Sequence, residues 1–296
     1  MNFVSILFTL VCGITLSNGF VESFSTSSKS KSLNEESVFS SYKVLEFNSR
    51  NLITIRGPIQ GSSSTSWITS MNDRDPDVDT MYIYLSSPGG SVLEGNKLID
   101  QIKTLQLSDI DVVCIADFAA SMAFVILQSC PQRFALPSSI LMQHQMSLGL
   151  KGPLENVDNY LSFIHSVDNN LEKMQADRMN MTEPEFRRKV LNDWWIPGHM
   201  AKEYNAVDDL VMVKCSKELM HKKDKINVRT MFGDIEIIYS KCPIAREPID
   251  IKMKDSLYNL ETKYINWELI ENEIKDYVPS LFLKHTFNKK TNMEYF

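Results

Sequence analysis

Three side chains that lie far apart in the sequence are of the types that carry out acyl transfer. Ser121 lies in Ala-Ala-Ser-Met-Ala, where a predicted strand gives way to a predicted helix. His144 comes shortly after the apolar run Ile-Leu-Met, and Asp193 precedes two tryptophans. A serine hydroxyl becomes a nucleophile when an imidazole accepts its proton and a carboxylate orients that imidazole. The three residues therefore predict serine-based hydrolysis, if the fold brings them together.

A glycine-rich segment offers the other part that this chemistry needs. Ser-Pro-Gly-Gly-Ser occupies residues 87–91, and its glycines allow positive φ angles and a close approach of the backbone to a substrate. The N–H groups of Gly89, Gly90 and Met122 are candidate oxyanion donors, and Gly89 and Ser91 are candidate substrate contacts. A helix beginning at Met122 would add its partial positive charge. The segment carries neither Gly-Lys-Ser/Thr nor Gly-x-Gly-x-x-Gly, the patterns that hold phosphates.

Each of these residues also has an ordinary structural interpretation. Ser121 alone could cap a helix, and the glycines could form a plain turn. A single histidine is more often structural than catalytic, and Asp193 could be a solvated charge. The joint order of the residues, rather than any one of them, carries the functional hypothesis.

Strands and helices alternate around these residues. Apolar or β-branched runs predict strands at 52–55, 81–85, 111–115 and 140–142. Helical spacing predicts helices near 67–71, from Val92 to Ile102 and over 121–128, and one long helix over 154–179. Thr182 is predicted to cap the helix that follows. The order predicts an α/β fold with right-handed βαβ units and a largely parallel sheet.

The N-terminus differs in composition from this α/β part. Residues 3–16 are almost wholly apolar, about the length of a signal-peptide core, and Ser17 and Gly19 suit cleavage before Phe20. A Ser-rich stretch follows, which predicts disorder. We expect a signal peptide at 1–19 and a disordered leader at 20–45, with an uncleaved anchor as the alternative. This leader would send the chain into the secretory route, to the ER, the exterior or a complex plastid.

Charge and cysteine usage narrow the classes of function. The net charge of −6 and the lack of a basic stripe argue against nucleic-acid binding. The cysteines have no metal-binding spacing; they are Cys12, Cys114, Cys130, Cys215 and Cys242. Because Cys114 and Cys130 lie in apolar runs, we expect buried free thiols rather than disulfides. Beyond residue 215 a hairpin over 227–240 and partly helical structure over 251–274 are predicted, without a catalytic motif.

Several motifs between residues 50 and 212 together resemble one known family. They are YIYLSSPGGSVLEG at 82–95, AASMA at 119–123, RFALPS at 133–138, His-Gln at 144–145 and AKEY at 201–204. They are similar to those of the proteolytic subunit of Clp protease. The resemblance implies a ClpP/crotonase-like fold with Ser121, His144 and Asp193 as the triad. It implies that the N–H groups of Gly90 and Met122 are the oxyanion donors. It also implies that the helix over 154–179 is the handle through which seven-membered rings stack.

The resemblance implies the remaining features of the hypothesis as well. A peptidase domain over 46–214 would cleave unfolded polypeptides through an acyl-enzyme on Ser121, without cofactor or metal, and an AAA+ unfoldase would deliver them. Residues 215–296 would be a C-terminal extension of unknown role. Asn205 stands where the family has a glycine, and Met146 where it has a proline. The alternatives are a non-catalytic ring subunit and a stand-alone relative similar to signal-peptide peptidases, which use serine and lysine.

Overall fold

A largely parallel sheet forms the centre of the protein, as a computed structural model of residues 42–256 and 267–291 shows. Its strands are β1 (Lys43–Phe47), β2 (Leu52–Arg56), β3 (Thr80–Ser87), β4 (Asp111–Ala120), β5 (Gln132–Gln143), β6 (Trp194–Pro197) and β7 (Asp209–Cys215). They lie in the order β1-β7-β5-β4-β3-β2, and β6 pairs antiparallel with β5. The predicted α/β class with a mainly parallel sheet is confirmed.

In the described part of the chain, five α-helices accompany the strands of this sheet. They are α1 (Gly61–Asn72), α2 (Val92–Leu107), α3 (Met122–Ser129), α4 (Leu154–Arg178) and α5 (Glu183–Val190). The long helix and the Thr182 cap are confirmed, because Thr182 and Glu185 form a reciprocal capping box. Helix α1 begins earlier than predicted. Hydroxyl groups at its start donate hydrogen bonds to nearby carbonyls: Ser63 to that of Pro58, and Ser64 and Thr65 to that of Gly61.

The main core fills the space between this sheet and its helices. Helix α3 is apolar on every side, and its residues from Met122 to Gln128 are buried. They pack with alternate residues of β3 and β4, which point to the same face of the sheet. The opposite face carries a second cluster that includes Phe47, Tyr84 and Ile115. Strands buried on both faces explain the continuous apolar runs in the sequence.

The C-terminal extension builds a second, smaller sheet. Its elements are α6 (Lys217–His221), β8 (Lys223–Thr230), β9 (Gly233–Ser240), β10 (Asp250–Ser256), α7 (Trp267–Ile274) and α8 (Pro279–Thr291). Strands β8 and β9 form the predicted hairpin, and β10 pairs antiparallel with β9. Their inner face packs on Ile270 and Ile274 of α7. The segment predicted to be partly helical is a strand up to Ser256 and a helix from Trp267; residues 257–266 lie outside the described part.

Two sequence-based expectations are corrected. The cysteines are not free thiols: Cys114 is bonded to Cys130 and Cys215 to Cys242, with Cα–Cα separations of 6.1 and 5.9 Å. Burial does not distinguish a thiol from half of a disulfide, and pairing depends on the tertiary fold. Residues 43–45, expected in the disordered leader, belong to β1 and pair with β7. The signal-peptide prediction and the rest of the leader before Tyr42 lie outside the described residues.

Two further findings concern single segments. Asn205 has a φ of 54°, so it adopts the left-handed conformation that asparagine tolerates better than most residues. Glycine, which the resembled family has at this position, adopts this conformation freely. Within 42–256 and 267–291, no helix combines the length and apolar character needed to cross a membrane.

Candidate active site

Ser121 occupies a sharp turn between β4 and α3. Its φ and ψ are 54° and −122°, a conformation that non-glycine residues rarely adopt. The Ser121 N–H donates to the carbonyl of Met142 at 2.9 Å, and its own carbonyl accepts from Phe124 and Val125. Its hydroxyl makes no helix-capping hydrogen bond. The interpretation of Ser121 as a simple capping serine therefore fails, and its hydroxyl is left to face the cavity beside it.

His144 lies directly opposite this serine. Strand β5 pairs in parallel with β4, with Met142 beside Ala120, so the residues just beyond both strand ends are neighbours. The His144 Nε2 atom is 2.8 Å from the Ser121 Oγ atom. This is hydrogen-bond distance, and it is the geometry in which an imidazole can accept a hydroxyl proton.

Asp193 is brought to the other side of the imidazole by β6. This strand runs antiparallel to β5, with Trp194 beside Gln143, so the residue before it meets His144. The His144 Nδ1 and Asp193 Oδ1 atoms are 3.7 Å apart. That separation suits an ion pair but exceeds a good hydrogen bond. The structure thus brings the three predicted residues together in the order serine, histidine, aspartate.

The glycine segment runs alongside the Ser121 turn. Ile59 donates its N–H to the Gly89 carbonyl and accepts the Ser91 N–H, at 2.8 and 2.9 Å. In this parallel bridge the N–H and carbonyl of Gly90 point away from Ile59, and Gly90 lines the cavity beside Ser121. The Met122 N–H begins α3 and has no partner within the helix. Gly90 and Met122, both predicted oxyanion donors, therefore lie at the cavity that holds Ser121.

The close approach of this segment depends on the absence of a side chain at Gly89. A Cβ atom there would lie 2.6 Å from the Ala120 carbonyl and 2.8 Å from the Met122 nitrogen. Gly89 also has a φ of 93°. Ser91, the other predicted substrate contact, has its N–H bonded to Ile59 and its hydroxyl capping α2. Contact between Ser91 and a substrate stays a prediction, with both of these groups already engaged in the fold.

A cavity of about 340 Å³ opens beside Ser121 and His144. Its apolar lining comes mainly from α3, β5, α4 and α5: Met122, Val125, Met142, Leu171, Phe186 and Val190. Asp168 and Glu172 of α4 lie on its wall, and Glu172 is paired with Arg187 at 2.5 Å. Burial, together with the neighbouring Glu172 charge, raises the pKa of Asp168. The cavity suits an apolar group next to the serine.

Two other observations concern the surroundings of this site. A larger cavity of about 830 Å³ lies around Trp67 and Lys241 and contains none of the predicted site residues. Phe282, from helix α8 of the extension, lines the smaller cavity and was not predicted from the sequence. An apolar residue in a helix carries no local sign of a site, because its position depends on how the extension docks.

The parallel sheet, with a serine and a histidine at adjacent strand ends, places this protein among α/β proteins with a serine-centred site. Within that class, a family model described as Clp protease matches residues 34–214. The match covers more than half of the chain, and the protein belongs to this family.

Curated relatives agree with the family model. Over 140 residues the chain is 33% identical to the ATP-dependent Clp protease proteolytic subunit 1 of Streptomyces coelicolor. It is 34% identical over 140 residues to the proteolytic subunit 3 of Streptomyces avermitilis. In both cases the alignment covers 46% of this chain and 62% of the relative. The chain thus matches somewhat less than two thirds of the length of these relatives.

Proposed function

We propose that this protein is a serine endopeptidase of the Clp proteolytic type. The observation that carries the proposal is the 2.8 Å separation between Ser121 Oγ and His144 Nε2 at a turn with positive φ. Ser121 is the nucleophile, His144 the general base and then acid, and Asp193 the residue that orients the imidazole. Membership of the Clp protease family supports the same roles.

The reaction follows from these roles. His144 Nε2 removes the hydroxyl proton while the Ser121 oxygen attacks the carbonyl carbon of a peptide bond. The resulting oxyanion accepts hydrogen bonds from the Gly90 and Met122 N–H groups; loss of one such donor typically costs about 3 kcal/mol. The intermediate collapses, the C–N bond breaks, and His144 returns the proton to the leaving amine. Water then hydrolyses the acyl-enzyme by the same steps, with His144 taking its proton.

Asp193 contributes once the imidazole becomes charged. The 3.7 Å separation allows an ion pair, and catalytic hydrogen bonds often tighten only when a substrate binds. The Asp193 side chain is 19% exposed, so limited contact with water strengthens its attraction for the imidazolium.

The proposal extends to assembly in rings and to polypeptide substrates. Helix α4 buries residues only near its C-terminal end, whereas Leu154, Tyr160 and Phe163 in its first half are 75%, 45% and 59% exposed. Exposed apolar residues along one helix favour a protein partner. The relatives are named subunits of an ATP-dependent protease, which supports a ring-forming oligomer that receives unfolded polypeptides from an AAA+ unfoldase. A monodisperse monomer at micromolar concentration in a native mass measurement would contradict the assembly.

The proposal also retains delivery through the secretory route. Two disulfides within the described residues support it, because disulfides persist in oxidising compartments. A fluorescent reporter fused to residues 1–45 should leave the cytosol for the ER, the exterior or a plastid. A reporter that stays in the cytosol would contradict this part.

A fluorophosphonate label tests the chemistry. The assembled wild type should be labelled and should cleave unfolded casein, whereas Ser121→Ala should lose the label and at least a thousandfold in kcat/KM. Ser108→Ala is the matched control, because Ser108 is exposed at the end of α2 and should leave both signals unchanged.

The histidine variant separates the proposal from its rivals. His144→Ala should also abolish labelling, because the serine then has no base. Labelling that survives this change would favour a serine–lysine relative. Mixed rings without labelling of the wild type would favour a non-catalytic subunit.

A further inference from the structure

Helix α8 of the extension lies against the strand ends that carry the candidate site. Phe282 and Leu283 pack on a cluster formed by Phe118, Ala120 and Met142. The ring centroids of Phe118 and Phe282 are 5.4 Å apart. Ala120 directly precedes Ser121, so the C-terminal extension touches the framework of the site rather than a remote surface.

Strand register explains why this contact reaches the site. Met142 pairs with Ala120 on one side and with Trp195 on the other, and Trp195 joins the same cluster. Ala120, Met142 and Trp195 lie within two positions of Ser121, His144 and Asp193, respectively. Phe282 therefore packs where the three site-bearing strands meet.

The Phe282 side chain also reaches the cavity. It is half-buried and lines the cavity with Ser121, His144 and Met122, whereas its neighbour Leu283 is not among the lining residues. All other lining residues belong to the part of the chain before residue 191. Among the described residues, Phe282 is the contribution of the extension to the wall of this cavity.

Several contacts fix the extension in this position. Arg246 lies 2.6 Å from the buried carboxylate of Asp117, three residues before Ala120. The Arg246 carbonyl accepts a hydrogen bond from Arg56, and the Arg56 guanidinium lies 4.1 Å from the Tyr239 ring centroid. Tyr277 receives a hydrogen bond from Gln60. With this many anchors in the core sheet, Phe282 belongs to a docked structure and can act as a fixed wall.

We infer that Phe282 is a specificity-determining residue, which limits the size of the substrate side chain that binds beside Ser121. The inference rests on the proposed peptidase function. Apolar residues such as Val125 and Met142 favour an apolar side chain there, and an aromatic ring on the wall leaves less room for a large one. Phe282 should therefore disfavour a large aromatic side chain at the cleaved carbonyl relative to a smaller apolar one, such as leucine.

Phe282→Ala tests the inference in the full-length protein. Fluorogenic peptides that differ only in leucine or tryptophan before the cleaved bond give kcat/KM for each. In wild type the leucine peptide should be preferred. In Phe282→Ala the tryptophan-to-leucine ratio should rise about tenfold, since pocket volume discriminates apolar groups by such factors. Leu283→Ala is the matched control and should leave the ratio unchanged.

The outcomes separate this inference from the function beneath it. An unchanged ratio in Phe282→Ala, with both peptides slowed equally, would overturn the inference and make Phe282 purely structural. If Phe282→Ala melts early, Phe282→Leu should still raise the ratio by a smaller factor, and an unchanged ratio there would also overturn it. A wild type that fluorophosphonate does not label would instead refute the peptidase proposal itself.

Discussion

The core sheet and the C-terminal extension are built by different rules. Strands β3, β4 and β5 are parallel and buried on both faces, and their apolar runs are visible in the sequence. The extension has an antiparallel sheet, one face of which is covered by α7. It contacts the core sheet partly through charged residues such as Arg246. The core assembles the candidate chemistry, while the extension supplies a wall of the cavity. The sequence pattern of the core therefore indicates the candidate nucleophile. The extension acts through contacts with distant segments, which its own sequence does not indicate.

The largest expected effect belongs to the core alone. Asp193→Asn should lower kcat by about 10³–10⁴-fold, because the amide no longer stabilises the imidazolium or holds its tautomer. The melting temperature should change little, since the side chain lies outside the apolar core. Steady-state kinetics with a fluorogenic peptide measure the loss. Asp100→Asn, at an exposed pair on α2, is the control, and equal activity of both variants would contradict the role of Asp193.

The next effect concerns the covalent link between the two regions. Cys242→Ala should lower the unfolding free energy by about 3–4 kcal/mol, because the disulfide closes a loop whose ends are 27 residues apart. Urea denaturation without reductant measures it. Cys215→Ala and the double variant should show nearly the same loss, since each removes the same bond. A double variant that loses twice as much would show that the two sulfurs act independently.

A smaller effect, about 2 kcal/mol, is expected at the buried charge between the regions. Arg246→Met leaves the Asp117 carboxylate with less compensation, although Arg246 is 38% exposed and Arg56 remains nearby. Denaturation at neutral pH measures the loss. Arg229→Met, at a long and exposed pair, should change nothing measurable and serves as the control. Equal stability of both variants would mean that Arg246 does not hold the extension.

The effect of Arg246→Met should depend on pH. Burial raises the pKa of Asp117 above its ordinary value of 3.8, even though Arg246 and Arg56 lower it. The folded state therefore keeps this proton to higher pH than the unfolded state. The contribution of Asp117 to stability falls as the pH rises from its ordinary pKa through its raised pKa in the folded state. Protonation also removes the uncompensated charge, so the loss in Arg246→Met should shrink as the pH is lowered. A loss that grows at acidic pH would contradict this account.

Much of the core and of the candidate site could be predicted because their signals are local. Glycines 89 and 90, the Thr182 cap and the period of α4 each reflect requirements of the chain segment that contains them. The convergence of Ser121, His144 and Asp193 was predictable from their order in the family. The disulfide partners and Phe282 were not, because each depends on which distant segments meet. Strand β5 was predicted too short, since Pro137 and two serines interrupt its apolar pattern without ending the strand.

The backbone at Ser121 has a consequence for evolution as well as for chemistry. A φ of 54° in a residue with a side chain opposes folding by about 1–3 kcal/mol, whereas glycine adopts it freely. The Ser121→Gly variant, which lacks the hydroxyl, should then have a higher unfolding free energy than the wild type. Ser121→Ala should not be stabilised in this way, because alanine keeps a Cβ atom. In a lineage that no longer needs cleavage, glycine would therefore be the stabilising replacement at this position.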